Sequence, residues 1–284
     1  MKRAIVGLMM LGLVGVASAE TLTYLTTGDH SWTNSANWTN SLGAADVPEA
    51  GDTVNVEDTS SFSEGVVITD GTAAAAAELN LGPVSGSGYA TIEEGATLTL
   101  SLKLNLAGKH ATSGRLTNRG TLTARGIGCP NGSAYLWNYG TINLTGTADI
   151  DMYNSRNCFF RQYAGSITCD DLYLRGAGGF TARFDMMGGT VVGDALTTDD
   201  PSTGAVLNLT GGTMTFNDVT FFDSANNTMT VQSPGMLVVT KDMRTYLQAA
   251  IDGGQITSDA DLSLTYVDGN TILKVPAGTL VSIQ

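Results

Sequence analysis

Histidine is nearly absent, with only His30 and His110 in different parts of the chain. Neither has the His-x-x-x-His spacing or a nearby cysteine that a zinc site needs, and both read as solvated loop residues. Positive charge is scarce as well. Fourteen Lys and Arg stand against 27 Asp and Glu, a formal net charge of -13. So acidic a surface repels nucleic acid and anionic membranes, and neither is expected as a partner. The three cysteines, Cys129, Cys158 and Cys169, allow at most one internal disulfide. Cys158 and Cys169 are the nearest pair in sequence, and Cys169 reads as a small buried core residue. Long apolar runs are missing except from Ala4 to Val16, which is shorter than the roughly 20 residues that cross a bilayer. That run follows Lys2 and Arg3 and precedes Ala17-Ser18-Ala19, the pattern of a secretory signal peptide over residues 1–19. A secreted product at the outer cell surface or beyond, with no membrane span after cleavage, is therefore expected.

The signatures of common catalytic machinery are missing too. No Gly-x-Ser-x-Gly elbow joins a strand to a helix, and Gly86-Ser87-Gly88 reads as a turn. Gly176-Ala177-Gly178-Gly179 leads into Phe180 and Arg183 rather than a helix, so it is no dinucleotide fingerprint. No cofactor, catalytic residue or metal ligand is assigned.

What the chain does have is a phrase, Gly-Thr-aliphatic, that keeps returning. It stands at Gly120-Thr121-Leu122, Gly140-Thr141-Ile142, Gly165-Ser166-Ile167, Gly189-Thr190-Val191, Gly212-Thr213-Met214 and Gly278-Thr279-Leu280. Looser copies begin at Gly95, Gly235 and Gly254. Successive glycines lie 25, 20, 25, 24, 23, 23, 19 and 24 residues apart. A near-constant period in this range marks a solenoid, in which each repeat buries its apolar face against its neighbours. Two residues after each glycine come Leu122, Ile142, Ile167, Val191, Met214, Leu237, Ile256 and Leu280, which should form one inward file. Glycine at the corner supplies positive φ without steric cost. Two or three short strands per repeat of about 23 residues fit an all-β, single-stranded, right-handed parallel β-helix. Asn118 and Asn138 share one offset in neighbouring repeats and are expected to stack as an amide ladder.

The two ends depart from the repeat. Residues 20–56 hold Trp32, Asn37-Trp38, Pro48 and Gly51-Asp52-Thr53-Val54, and are expected to cap the first coil of a body spanning 57–241. In 242–284, Asp242 reads as the N-cap of a short helix carrying Met243, Tyr246, Leu247, Ala250 and Ile251 and stopping at Gly253-Gly254. A hairpin turning on Asp268-Gly269-Asn270 follows, and helix and hairpin are expected to close the C-terminal end.

The tryptophan-containing segment ahead of Gly-Thr repeats resembles the N-terminal part of bacterial secreted proteins with autotransporter-associated β-strand repeats. Phe160-Arg161-Gln162-Tyr163-Ala164-Gly165-Ser166-Ile167 and Leu207-Asn208-Leu209-Thr210-Gly211-Gly212-Thr213-Met214 read as versions of that family's phrase. The resemblance implies a parallel β-helix at the cell surface. Val281-Ser282-Ile283-Gln284 carry no translocator barrel or sorting signal, so self-transport is not expected.

For function, the region from Tyr135 to Phe184 stands out, with ten aromatic residues interleaved with Arg156, Arg161, Arg175 and Arg183. Exposed aromatic rings stack on sugars and arginine binds the carboxylates of acidic glycans. Trp137, Tyr139 and Tyr163, with Arg161 and Arg183, form the candidate binding set. The expectation is a non-enzymatic structural or adhesive solenoid that meets extracellular polysaccharide or other surface proteins. The competing class is a polysaccharide lyase or hydrolase. It would need carboxylates from Asp149, Asp151, Asp170, Asp171, Asp185, Asp194, Asp199 and Asp200 to converge near an arginine in one groove.

Overall fold

A computed structural model describes residues 19–26, 28–109, 112–154, 157–176, 180–198 and 204–276. Residues 1–18 of the expected signal peptide, His110, Arg156, Asp199, Asp200 and the phrase Gly278-Thr279-Leu280 lie outside the described residues.

The chain winds as a parallel β-solenoid with three faces. Face 1 is a sheet of nine parallel strands, from Val66–Ile68 through Ser87–Ile92, Ser113–Asn118, Ser133–Asn138, Cys158–Gln162, Ala182–Met186, Ala205–Leu209 and Thr228–Val231 to Ile256–Thr257. Face 2 carries the Gly-Thr phrases, among them Thr97–Leu100, Thr121–Ala124, Thr141–Leu144 and Ser166–Thr168. Face 3 includes Thr53–Val56, Glu78–Leu81, Leu104–Leu106, Ile127–Gly128, Ile150–Asn154 and Asp171–Gly176. Alternation sends every second side chain of each strand inward.

The expected inward file exists. Leu98, Leu122, Ile142, Ile167, Val191, Met214 and Leu237 pair position by position and are all fully buried. Ile256 is a correction: it continues the file Phe160, Phe184, Leu207, Met229 on face 1. The helix Arg244–Asp252 takes up residues between the two phrases, so the glycine count no longer marks the same face. Leu273 of the hairpin takes the next place in the face 2 file, antiparallel to Leu237. Face 3 has its own file, Val54, Leu79, Leu104, Ile127, Ile150, Leu172, Leu196 and Val219.

Close stacking of coil backbones acts at all five corners, since a Cβ at Gly165, Gly189 or Gly212 would come within 2.0, 2.3 and 2.5 Å of the preceding corner's carbonyl oxygen, and three of the corners add a second demand. Gly165, Gly189 and Gly212 sit at φ of 69°, 74° and 69°, as positive φ requires. Gly120 and Gly140 do not; there a Cβ would come within 2.2 Å of the Ala96 carbonyl oxygen and 2.1 Å of the Gly120 carbonyl oxygen. Close stacking of coil backbones, not the dihedral, selects glycine at those two corners.

The amide ladder forms and is longer than expected. Asn118 Nδ2 donates to Asn138 Oδ1 at 2.7 Å, and Asn138 Nδ2 to Gln162 Oε1 at 2.7 Å. All three residues are fully buried in a file whose other members are Ile68, Ile92, Met186, Leu209 and Val231. The ladder runs one way, and Asn118 Oδ1 at its acceptor end has no partner among the described residues.

Both ends are covered. Trp32 and Trp38 are buried and meet edge to face at 5.2 Å, and Trp38 Nε1 donates to the Trp32 carbonyl. These rings cap the solenoid and are inaccessible to a ligand. His30 is half-buried and its Nδ1 hydrogen-bonds the Tyr24 hydroxyl, which corrects its reading as a solvated loop residue. Burial raises the Tyr24 hydroxyl to about 12. At the other end the helix buries Leu247 and Ala250, and Asn270–Lys274 pairs with Met236–Val239. Met243 rather than Asp242 is the N-cap; Asp242 Oδ1 accepts from the Arg244 N–H at 3.2 Å and pairs with its guanidinium. No helix among the described residues is long and apolar enough to cross a membrane.

Candidate functional site

The outward positions of face 1 form in-register files, because outward parity repeats coil after coil. One file runs Tyr89, Arg115, Tyr135, Phe159, Arg183; the next runs Thr117, Trp137, Arg161, Asp185, Asn208. At the following corner Tyr139 and Tyr163 stand one coil apart. The structure thus brings Trp137, Tyr139, Arg161, Tyr163 and Arg183 onto one surface patch.

Within the patch the rings stack on each other along the solenoid axis. Tyr139 and Tyr163 are 4.5 Å apart and 1° from parallel, and Tyr135 and Phe159 lie 5.8 Å apart at 15°. Arg115 covers the Trp137 ring at 3.0 Å, and Arg119 lies 4.7 Å from the centre of Tyr139. Burial pushes Arg115 down to about 10, which still leaves it charged at neutral pH. Burial raises the Tyr139 hydroxyl, with Tyr163 adding to the effect. Ring faces are therefore engaged by neighbours, and edges, hydroxyls and guanidinium groups meet the solvent. This differs from the open stacking platform that the composition suggests.

Asp185 organises the C-terminal half of the patch. It is buried, and its carboxylate takes Arg183 Nε at 2.7 Å, Arg161 Nε at 3.3 Å and Asn208 Nδ2 at 2.7 Å. A hydrogen bond and charge interaction with Tyr163, and after them the charge of Asp185, hold Arg161 above its ordinary range. A shallow groove of about 370 Å³ runs between Arg161, Tyr163, Arg183, Met187 and Asn208.

Other candidates go elsewhere. Phe160 and Phe184 point inward and stack at 4.9 Å in the core. Tyr153 and Tyr173 belong to face 3, where Arg175 lies 4.8 Å and 5.7 Å from their ring centres and binds Asp151 at 2.7 Å. Asp170, Asp171 and Asp194 each place a carboxylate oxygen within 4.8 Å of the others, the spacing a cation would need. Their oxygens also serve the turn: Asp171 Oδ1 accepts from Ala195 N–H and Asp194 Oδ1 from Asn217 Nδ2. Asp149 lies beside them and is raised by burial and by the charges of Asp171, Asp170 and Asp151. Arg115, Arg119 and Asp185 were missing from the sequence-derived binding set. The 20-residue step from Arg115 to Tyr135 is the signal that could have placed Arg115 there.

The cysteines are all buried as thiols. Cys158 lies next to Cys129, not to its sequence neighbour Cys169, and burial together with the hydrogen bond its thiol donates to Cys129 raises that thiol. Comparison with protein-family models, curated proteins and solved structures gives no match.

Proposed function

We propose that this protein is a non-enzymatic extracellular solenoid of structural or adhesive role, whose face 1 patch engages surface polysaccharide or another surface protein. The observation that carries this reading is the Tyr139–Tyr163 stack at 1°, set between Arg119 and the Asp185-bound Arg161 and Arg183. Side chains locked by their neighbours before binding lose little conformational entropy when a partner arrives. Hydroxyl edges and guanidinium groups suit the hydroxyls and carboxylates of a glycan.

A carbohydrate-active enzyme is the second reading. It is favoured by Asp149, Asp170, Asp171 and Asp194 gathering at one corner near the Asp151–Arg175 pair. Incubating purified protein with acidic and neutral polysaccharides, and scoring both retention and chain cleavage, separates the two. Retention without cleavage, weakened by Trp137→Ala and Arg183→Ala, supports the adhesive reading. Cleavage abolished by Asp171→Asn overturns it.

A further inference from the structure

Face 3 holds a second surface feature, distinct from the face 1 patch. Its outward file reads Asn55, Asn80, Asn105, Gly128, Asp151, Tyr173. Gly128 interrupts a row of side chains, and Gly126, just before the strand, adds a second position without one. Only Ile127 between them carries a side chain, and it points into the core. The result is a trough of about 510 Å³ whose floor is backbone. That volume lies within the range of small-ligand sites.

The walls differ in chemistry. Lys103 and Asn105 come from the preceding coil, Arg125 from the coil of the two glycines, and Asp149, Asp151 and Tyr153 from the following coil. Asn105 Nδ2 donates to Asn80, and Asn80 to Asn55, so the acceptor end of this external ladder, Asn105 Oδ1, faces Gly128. Asp151 has its charge met by Arg175 at 2.7 Å. Tyr153 is 43% exposed. Arg161, Arg175, Arg183 and Arg244 are all held by carboxylates, whereas Lys103 and Arg125 form no ion pair among the described residues. Both line the trough.

We infer that this trough binds a carboxylated sugar unit, with Lys103 and Arg125 taking the carboxylate, Tyr153 lying against the ring, and Asn105 and Asp149 accepting ring hydroxyls. Paired cations recognise a carboxylate. An exposed aromatic ring offers apolar surface to a pyranose. Amide and carboxylate oxygens accept from hydroxyls.

The test is calorimetric titration with a glucuronic acid oligosaccharide, its carboxyl-reduced counterpart and a neutral glucose oligomer of the same length. The acidic probe is expected to bind saturably, with carboxyl reduction or the double change Lys103→Ala/Arg125→Ala weakening it at least tenfold. Gly128→Val should remove binding while circular dichroism stays unchanged, because a Cβ there meets only Asn105 Oδ1, at 3.5 Å. Lys274→Ala, which removes an exposed lysine outside both the trough and the face 1 patch, should leave this binding intact. Equal binding of acid and reduced probes, undiminished binding by the double alanine variant or by a folded Gly128→Val, or loss on Lys274→Ala would overturn the proposal. Absence of saturable binding to the wild-type protein would also overturn it.

Discussion

Two amide ladders in this molecule have nearly the same geometry but different surroundings, so their comparison measures what burial does to a hydrogen bond. In the interior, Asn138 accepts from Asn118 Nδ2 at 2.7 Å and donates to Gln162 Oε1 at 2.7 Å and to the Gly140 carbonyl at 3.1 Å. On face 3, half-buried Asn80 accepts from Asn105 at 2.8 Å and donates to Asn55 at 3.0 Å. In Asn138→Ala, Asn118 Nδ2 keeps the Thr141 carbonyl and the Gly140 carbonyl keeps the Ser166 N–H. Gln162 Oε1, in a fully buried residue, loses its donor. The orphaned acceptor, the lost bond from Asn118 and the small void together should cost about 3–5 kcal/mol. In Asn80→Ala, water replaces the lost partners and the cost should be about 0.5–1 kcal/mol. Urea unfolding followed by circular dichroism and by tryptophan fluorescence gives both values, provided the two signals report one transition. Costs within about 1 kcal/mol of each other would refute the claim that burial, rather than the amide pairing itself, governs the ladder's contribution.

Three further outcomes are expected. Ile142→Ala, in the middle of the dry file, should cost about 2–5 kcal/mol in urea unfolding; a cost under about 1 kcal/mol would mean that the column does not stack as described. The Asp149 carboxyl is raised in the folded state, so the native form holds its proton more tightly than the unfolded chain and stability falls as pH rises through that range. Asp149→Asn, whose Oδ1 can still accept from the Asp171 N–H, should raise the melting temperature at pH 7, with the gain vanishing below the unfolded carboxylate range; an equal gain at pH 3 would contradict this. Burial raises the Cys169 thiol to about 12 and raises Cys158 as well, so native protein at pH 8 should resist a thiol reagent, and denatured protein should then react at all three cysteines. Rapid labelling of the native state, or only one reactive thiol after denaturation, would show a different arrangement.

The sequence was most informative where a physical rule acts locally and repeats. Alternation places Leu122 and Ile142 inward whatever the rest of the chain does, so the face 2 file could be read directly. Ile256 was misplaced by the same counting, because a helix inserted between phrases moves the chain on to another face without breaking the glycine rhythm. The binding patch was half legible. Parity put Trp137 outside, but composition alone could not separate Phe160, which has inward parity, from Phe159, which has outward parity and stacks on Tyr135.

The sequence by itself determined a coiled β architecture, its inward aliphatic file and its amide ladder, since period, alternation and side-chain chemistry are written residue by residue. Only the tertiary structure decided which residues meet across coils: that Asp185 gathers two arginines, that Cys158 neighbours Cys129, and that Gly126 and Gly128 open a trough beside unpaired cations. Apart from Arg183 and Asp185, which are neighbours on one strand, those contacts join positions about 20 to 30 residues apart, and their pairing depends on the length of every turn between them, which no local rule fixes.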